Sequence, residues 1–198
     1  MTEKEKRSMG ILYDANYNED LLKELFACKE ICFEYNQTRF SELESMAEKL
    51  RNLFGKTEEV FTILPPFWCD YGYNIELGKN FFANHNLTIL DGAKVTFGDN
   101  VFIAPNCGFY TAGHPIDYER RNQGLEYAWP ITVGDNVWFG AGVQVMPGVN
   151  IGSNVVIGAG SVVTKDIPDN VVAVGNPCKV LREITEDEWK REYQWNKG

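Results

Sequence analysis

Apolar residues recur every sixth position through Val133, Phe139, Val145, Ile151, Ile157 and Val163, and a second register four residues on runs through Val137, Val143, Val149, Val155, Ser161 and Ile167. A helix repeats near 3.6 residues and a flat strand at 2, so neither element produces a sustained six. The pattern predicts a β-helix, in which each six-residue unit supplies one short strand and a turn, and three units close one coil around a shared apolar axis. An ordinary β-sandwich does not hold one period across six consecutive units. Gly134, Gly140, Gly152 and Gly158 each follow a first-register residue, which predicts tight corners that favour a residue without Cβ.

The earlier run is less regular. Leu77, Ala83 and Ile89 keep step, the register slips by two near Val95, and it resumes at Phe97, Ile103 and Phe109. The slip predicts a longer corner. Between Tyr110 and Ile131 the repeat vanishes and Gly113, His114, Pro115, the charged run Glu119, Arg120, Arg121 and Gly124 take its place. Residues 110–130 therefore read as a loop thrown out of the solenoid, where a rigid scaffold can present chemistry.

Helical spacing appears outside the repeats. Leu21, Leu22, Leu25, Phe26, Cys28, Ile31 and Cys32 predict an amphipathic helix from 20 to about 36. A second is predicted from Ser41 as N-cap, with Glu44 completing a capping box, through Leu43, Met46, Ala47, Leu50, Leu53 and Phe54 to a stop at Gly55. Pro65-Pro66 then breaks the chain, and Phe67, Trp68, Tyr71 and Tyr73 lead into the first coils as a cap on the core. Thr185 with Glu188 reads as another capping box, opening a short terminal helix with Trp189. The expected organisation is an N-terminal helical segment over 1–55, a β-helix over 56–180 and a C-terminal helix over 181–198. The fold class is mainly β.

A net charge of −9 with no dense basic run argues against a nucleic-acid partner. The charged start of the chain, with no apolar stretch behind it, argues against a signal peptide or membrane span and leads to the expectation of a cytoplasmic protein. Five cysteines with no Cys-x-x-Cys pair point to reduced thiols rather than disulfides or a zinc site, and Cys28 and Cys32, one helical turn apart, read as packing residues. Only two histidines exist, His85 and His114. His114, held between Gly113 and Pro115 at the root of the excursion, is either a general base or a structural turn residue.

The run Ile157-Gly158-Ala159-Gly160-Ser161-Val162-Val163-Thr164-Lys165-Asp166-Ile167-Pro168, followed by Gly175-Asn176-Pro177-Cys178-Lys179-Val180, resembles the hexapeptide-repeat acyltransferases. Asn84-His85-Asn86-Leu87-Thr88, Ile103-Ala104-Pro105-Asn106 and Thr111-Ala112-Gly113-His114-Pro115 resemble more narrowly the maltose and galactoside O-acetyltransferases, as do Leu12-Tyr13-Asp14-Ala15-Asn16 and Glu34-Tyr35-Asn36. The resemblance covers nearly the whole chain. It implies a left-handed parallel β-helix, acetyl-CoA as cosubstrate without a required metal, a small sugar acceptor, and a homotrimer whose active sites lie between subunits. It assigns His114 as general base and Asn84 as a catalytic amide that donates to the oxyanion or holds the acceptor hydroxyl. Asn16, Asp70 and Glu126 fall at acceptor-side positions, and Glu126 alternatively orients the imidazole or is a solvated loop charge. Ala141, Ala159, Thr164, Lys165, Lys179 and Arg182 fall along the coenzyme groove, the basic members facing phosphate.

No serine or cysteine sits in a recognisable nucleophile motif, which agrees with direct transfer rather than an acyl-enzyme. Two other readings stay open: transfer to a non-sugar acceptor such as serine, an antibiotic or a nucleotide sugar, and a non-catalytic carbohydrate-binding scaffold. Metal-dependent carbonic anhydrases of the same fold need three histidine ligands, which two histidines do not supply.

Overall fold

Every position of both six-residue registers is buried, Val133 through Val163 in the first and Val137 through Ile167 in the second. The period therefore describes side chains pointing at one axis. In the computed structural model, which describes residues 1–190, short parallel strands stack into the three faces of a β-solenoid. One face carries Phe61–Ile63, Phe81–Ala83, Phe102–Ile103, Val137–Phe139, Val155–Ile157 and Val171–Val174. The second carries Phe67–Cys69, Leu87–Leu90, Gly108–Tyr110, Gln144–Val145 and Val162–Val163, and the third Ile75–Glu76, Val95–Phe97, Ile131–Val133 and Asn150–Ile151. Phe81, Phe97, Phe109 and Phe139 run through the axis edge to face, with successive centroids 5.0, 5.0 and 5.2 Å apart. Ser161, the polar member of its register, is satisfied inside: its hydroxyl donates to the Gly158 carbonyl at 2.6 Å and accepts from the Gly175 amide at 2.9 Å.

Residues stacked above one another at a corner are 20, 20, 36, 18 and 16 positions apart in successive coils. Three hexads make 18, so the first two coils carry two extra residues each and the third carries a large insertion. All of these extras fall at one corner, between the second and third faces: from Cys69 to Ile75, from Leu90 to Val95 and from Tyr110 to Ile131. The slip near Val95 is where the sequence places it. A matching slip after Cys69 had no such signal, because the hexads before it are irregular.

The corners use glycine and asparagine for different reasons. Gly134 does not adopt a left-handed backbone; a Cβ there would lie 2.8 Å from the carbonyl carbon of Gly152 in the next coil. Close stacking, and not φ, demands the glycine. At the corner of Gly134 the left-handed positions are asparagines, Asn80, Asn100, Asn136, Asn154 and Asn170, whereas at the corner between the first and second faces Asn86 and Asn106 are followed in later coils by left-handed Gly142 and Gly160. The asparagine amides bond from coil to coil, Asn80 to Asn100 at 3.0 Å and Asn100 to Asn136 at 3.1 Å, so the residue type that tolerates the conformation also ties the coils together.

Four helices attach among the described residues. Helix α1 (Glu3–Ser8), for which the sequence carries no apolar periodicity, is closed by a capping box in which the Thr2 hydroxyl accepts from the Glu5 amide. Helix α2 (Glu19–Gln37) matches expectation, capped by the Asn18 side chain, with Leu21, Cys28, Cys32 and Tyr35 turned inward. Helix α3 (Leu43–Leu53) is a correction at its start. The chain enters through a 3-10 turn, Phe40–Glu42, which takes Ser41 inside the turn, and no side chain caps the helix. Glu44 pairs instead with Arg51 at 2.8 Å. Asn36 exchanges two bonds with the Phe67 backbone, at 2.8 and 3.0 Å, and so fastens α2 over the first coil.

The excursion is a second correction. It is ordered: Ala112–Gly113 and Leu125–Ala128 form a hairpin joined by Tyr13–Asp14 as a third strand, with α4 (Tyr118–Asn122) at its tip. At the other end, Lys179–Glu183 returns antiparallel along Val171–Val174. The expected terminal helix is a 3-10 turn, Glu186–Lys190, as far as the described residues go, and residues 191–198 lie outside them. Glu188 there pairs with Arg182 at 2.5 Å. No helix among the described residues is long and apolar enough to cross a membrane.

Candidate active site

The corner that takes every insertion also gathers the polar residues of the site. Asp70 and Asp91 occupy the two-residue insertions of the first two coils, and the Asp91 carboxylate accepts from the Asp70 and Tyr71 amides, both at 2.9 Å. Thr111, entering the third insertion, donates to the Leu90 carbonyl at 2.7 Å and accepts from the Ala93 amide at 2.9 Å. Asp70 is paired with Lys29 of α2 at 2.9 Å.

Asp91 is fully buried, its second oxygen has no partner among the described residues, and burial pushes its pKa up to about 6 despite the two amide donors. A carboxyl raised in the folded state contributes most below the unfolded value near 3.9, and that contribution is lost as pH rises toward 6. The shift corresponds to about 3 kcal/mol. Asp91→Asn removes the ionisation, so its stability relative to the parent should climb between pH 4 and 6 and level off above. Urea unfolding across that window at one protein concentration checks this; a constant difference would contradict it.

Next to this stack the hairpin presents His114. The Gly113↔Tyr127 and Tyr13↔Glu126 pairings fix the strand that His114 directly follows and set Glu126 beside it. The imidazole is about half exposed, with Nδ1 3.0 Å from the Leu125 carbonyl and Nε2 3.7 Å from Glu126. A carbonyl only accepts, so Nδ1 carries the proton and Nε2 is left with a lone pair. Tyr13 donates to the other Glu126 oxygen at 3.2 Å. Burial raises the Glu126 pKa, countered by His114 and Tyr13, and the Asp70 charge reaches it as well. The Asn16 amide donates to the Gly124 carbonyl at 2.7 Å, holding the hairpin to the N-terminal segment. Thus His114, Glu126 and Asn16 are brought together with Asp70 close by. Tyr13 and Asp91, which sequence reasoning missed, belong to the same cluster; the only signal for Tyr13 was its place in Leu12-Tyr13-Asp14-Ala15-Asn16.

Asn84 is elsewhere. It lies at the corner between the first and second faces, its side-chain oxygen accepting from the His85 amide at 2.8 Å, while the His85 ring contacts the Pro65 carbonyl. Ala141 and Ala159 stack at that same corner and are exposed, with the Gly160 amide bonded to the Ala141 carbonyl at 2.8 Å. Thr164 and Lys165 are exposed at the corner His114 shares, and Lys179 and Arg182 are exposed on the returning strand. Within one chain the proposed site residues therefore divide between two corners.

A parallel β-solenoid with hexad strands, an insertion that presents a histidine, and N-terminal helices capping the first coil define a hexapeptide-repeat transferase. Residues 130–165 match the bacterial transferase hexapeptide family (six repeats), and residues 9–58 match the maltose acetyltransferase hexapeptide capping motif. The chain is 63% identical over 177 residues to the Saccharomyces cerevisiae protein YJL218W, spanning 89% of this chain and 90% of that one. The structure of a maltose O-acetyltransferase from Clostridium difficile 630 superposes with a TM-score of 0.92 at 53% identity, covering 94% of this chain and 99% of the other. A galactoside acetyltransferase in complex with coenzyme A superposes at 0.93 with 45% identity, covering 99% and 97%. The chain belongs to the maltose/galactoside O-acetyltransferase family of hexapeptide-repeat acetyltransferases.

Proposed function

We propose that the protein transfers the acetyl group of acetyl-CoA to a hydroxyl of a small sugar such as maltose, glucose or a galactoside, by direct attack with His114 as general base. The observation that carries this is the His114 tautomer, Nδ1 committed to the Leu125 carbonyl and Nε2 free to take a proton. Nε2 takes the hydroxyl proton as that oxygen bonds to the thioester carbonyl carbon. Asn84 donates its amide to the oxygen that gains charge. When the carbon–sulfur bond breaks, the imidazolium returns the proton to the departing thiolate, giving ester and free CoA. Glu126, through its charge beside Nε2, stabilises the imidazolium, and Asp70 and Asn16 supply acceptor-side hydrogen bonds.

The residues fit the coenzyme. Small exposed side chains at Ala141 and Ala159 leave the corner backbone open to an extended pantetheine arm, and Lys165 and Lys179 offer charges for its phosphates. Arg182 is held by Glu188 and would have to exchange partners to join them. The galactoside acetyltransferase structure contains coenzyme A.

Asn84 and His114 at different corners act on one substrate only if corners of neighbouring copies meet. A homotrimer meets that need, each site taking Asn84 from one subunit and His114 from the next. The outward row Phe82, Phe102, Trp138, Val156 and Val172 supports association, since Phe102 is 48% and Trp138 55% exposed in the single chain.

The test is release of free CoA thiol from acetyl-CoA against a panel of mono- and disaccharides, with serine as the non-sugar control. Stimulation by a sugar and not by serine is expected. Stimulation by no sugar would overturn the acceptor assignment.

A further inference from the structure

Three thiols that are distant in the sequence meet beneath α2. Cys28 and Cys32 are on its inner side, and Cys69 ends the strand Phe67–Cys69 below. Cys28 Sγ is 3.5 Å and Cys32 Sγ 3.7 Å from Cys69 Sγ, and all three sulfurs lie within 4.8 Å of one another. Each residue is at most 2% exposed. Packing alone asks only for small apolar side chains at these positions and gives no reason for three sulfurs to converge.

We propose that Cys28, Cys32 and Cys69 form a trigonal site for one thiophilic cation of the copper(I) type. From the sulfur separations, a point equidistant from all three is no more than about 2.4 Å from each, which is the length of a metal–thiolate bond. Soft thiolates select copper(I), and three ligands suit it, whereas structural zinc takes four. No fourth histidine, carboxylate or thiol joins the cluster among the described residues. Each sulfur–metal bond replaces a sulfur–hydrogen bond, so three protons leave as one cation enters. The ammonium of Lys29, 2.6 Å from the Cys69 carbonyl, offsets part of the negative charge that results. The same lysine holds Asp70, which places the metal next to the acceptor side without making it part of the transfer.

The experiment is an anaerobic titration of the reduced protein with copper(I) against a coloured copper(I) chelator, followed by X-ray absorption at the copper edge. One equivalent retained per chain with three sulfur neighbours is expected, with zinc(II) retained at least tenfold more weakly. Cys69→Ser and Cys32→Ala should each lower copper retention at least tenfold, while Cys107→Ser, outside the cluster, leaves it unchanged. Sedimentation and CoA release show which variants are folded, and Cys32→Ala carries the test if Cys69→Ser does not fold. Loss of all copper from the parent to the chelator, full retention by a folded cluster variant, or zinc held as tightly as copper would each overturn the proposal.

Discussion

His114→Ala should lower kcat for sugar acetylation by about 10²–10⁴-fold, the range for a positioned general base. The ring is half exposed and its closest bond is to the Leu125 carbonyl, so the hairpin keeps its strand pairings without it. The Michaelis constant for acetyl-CoA should stay near that of the parent, because the imidazole's partners within the chain are the Leu125 carbonyl and Glu126 and not the residues proposed for the coenzyme. Steady-state thiol release with a saturating sugar separates the two parameters. An alanine variant with parental kcat would remove the base from the mechanism, and a change confined to the acetyl-CoA Michaelis constant would make His114 a binding residue. Glu126→Gln is the companion: it keeps the Tyr13 contact but withdraws the charge beside Nε2, so a smaller loss in kcat is expected.

Phe109→Ala should destabilise the folded chain by about 3–5 kcal/mol, the cost of emptying a large buried aromatic site. Phe109 is fully buried and is an inner ring of the four-ring axial column, edge to face with Phe97 and Phe139. The coil stack around it is fixed by ladders on three faces, which leaves little room to collapse into the cavity. Phe102→Ala is the contrast, since its ring points outward on the first face and is half exposed. That variant should lose little stability within the chain and instead weaken association, read as a sedimentation change on dilution. Equal urea midpoints for the two variants under dissociating conditions would contradict the axial-column account.

The solenoid was legible because one rule, an inward side chain at each strand of a coil, repeats without exception from Val133 to Ile167. Where the rule is broken, legibility fell unevenly. The excursion was visible as a gap, yet its order was not, because Leu125–Ala128 and Ala112–Gly113 are stabilised by pairing with each other and with Tyr13–Asp14, a contact across more than a hundred residues. Ser41 carries a sound N-cap signature, overridden by a 3-10 entry that begins at Phe40. His114 stands in a motif that the sequence displays, whereas Asp91 carries no motif and shows itself only when two insertions stack at one corner. Cys69 joined Cys28 and Cys32 for the same reason. Spacing along the chain says nothing about which coil lies under which helix.

In the proposed assembly, one active site takes Asn84 from one copy and His114 from another. Sedimentation should first give about three times 22.5 kDa, in keeping with a closed ring of three. The direct measurement mixes two variants, His114→Ala and Asn84→Ala, each nearly inactive alone, after dissociating and reassembling them in equal amounts. If sites lie between subunits, an interface that pairs an intact His114 with an intact Asn84 forms in about a quarter of random pairings, and roughly a quarter of parental activity returns. Mixtures that stay as inactive as their components, although exchange of subunits is confirmed, would contradict the account.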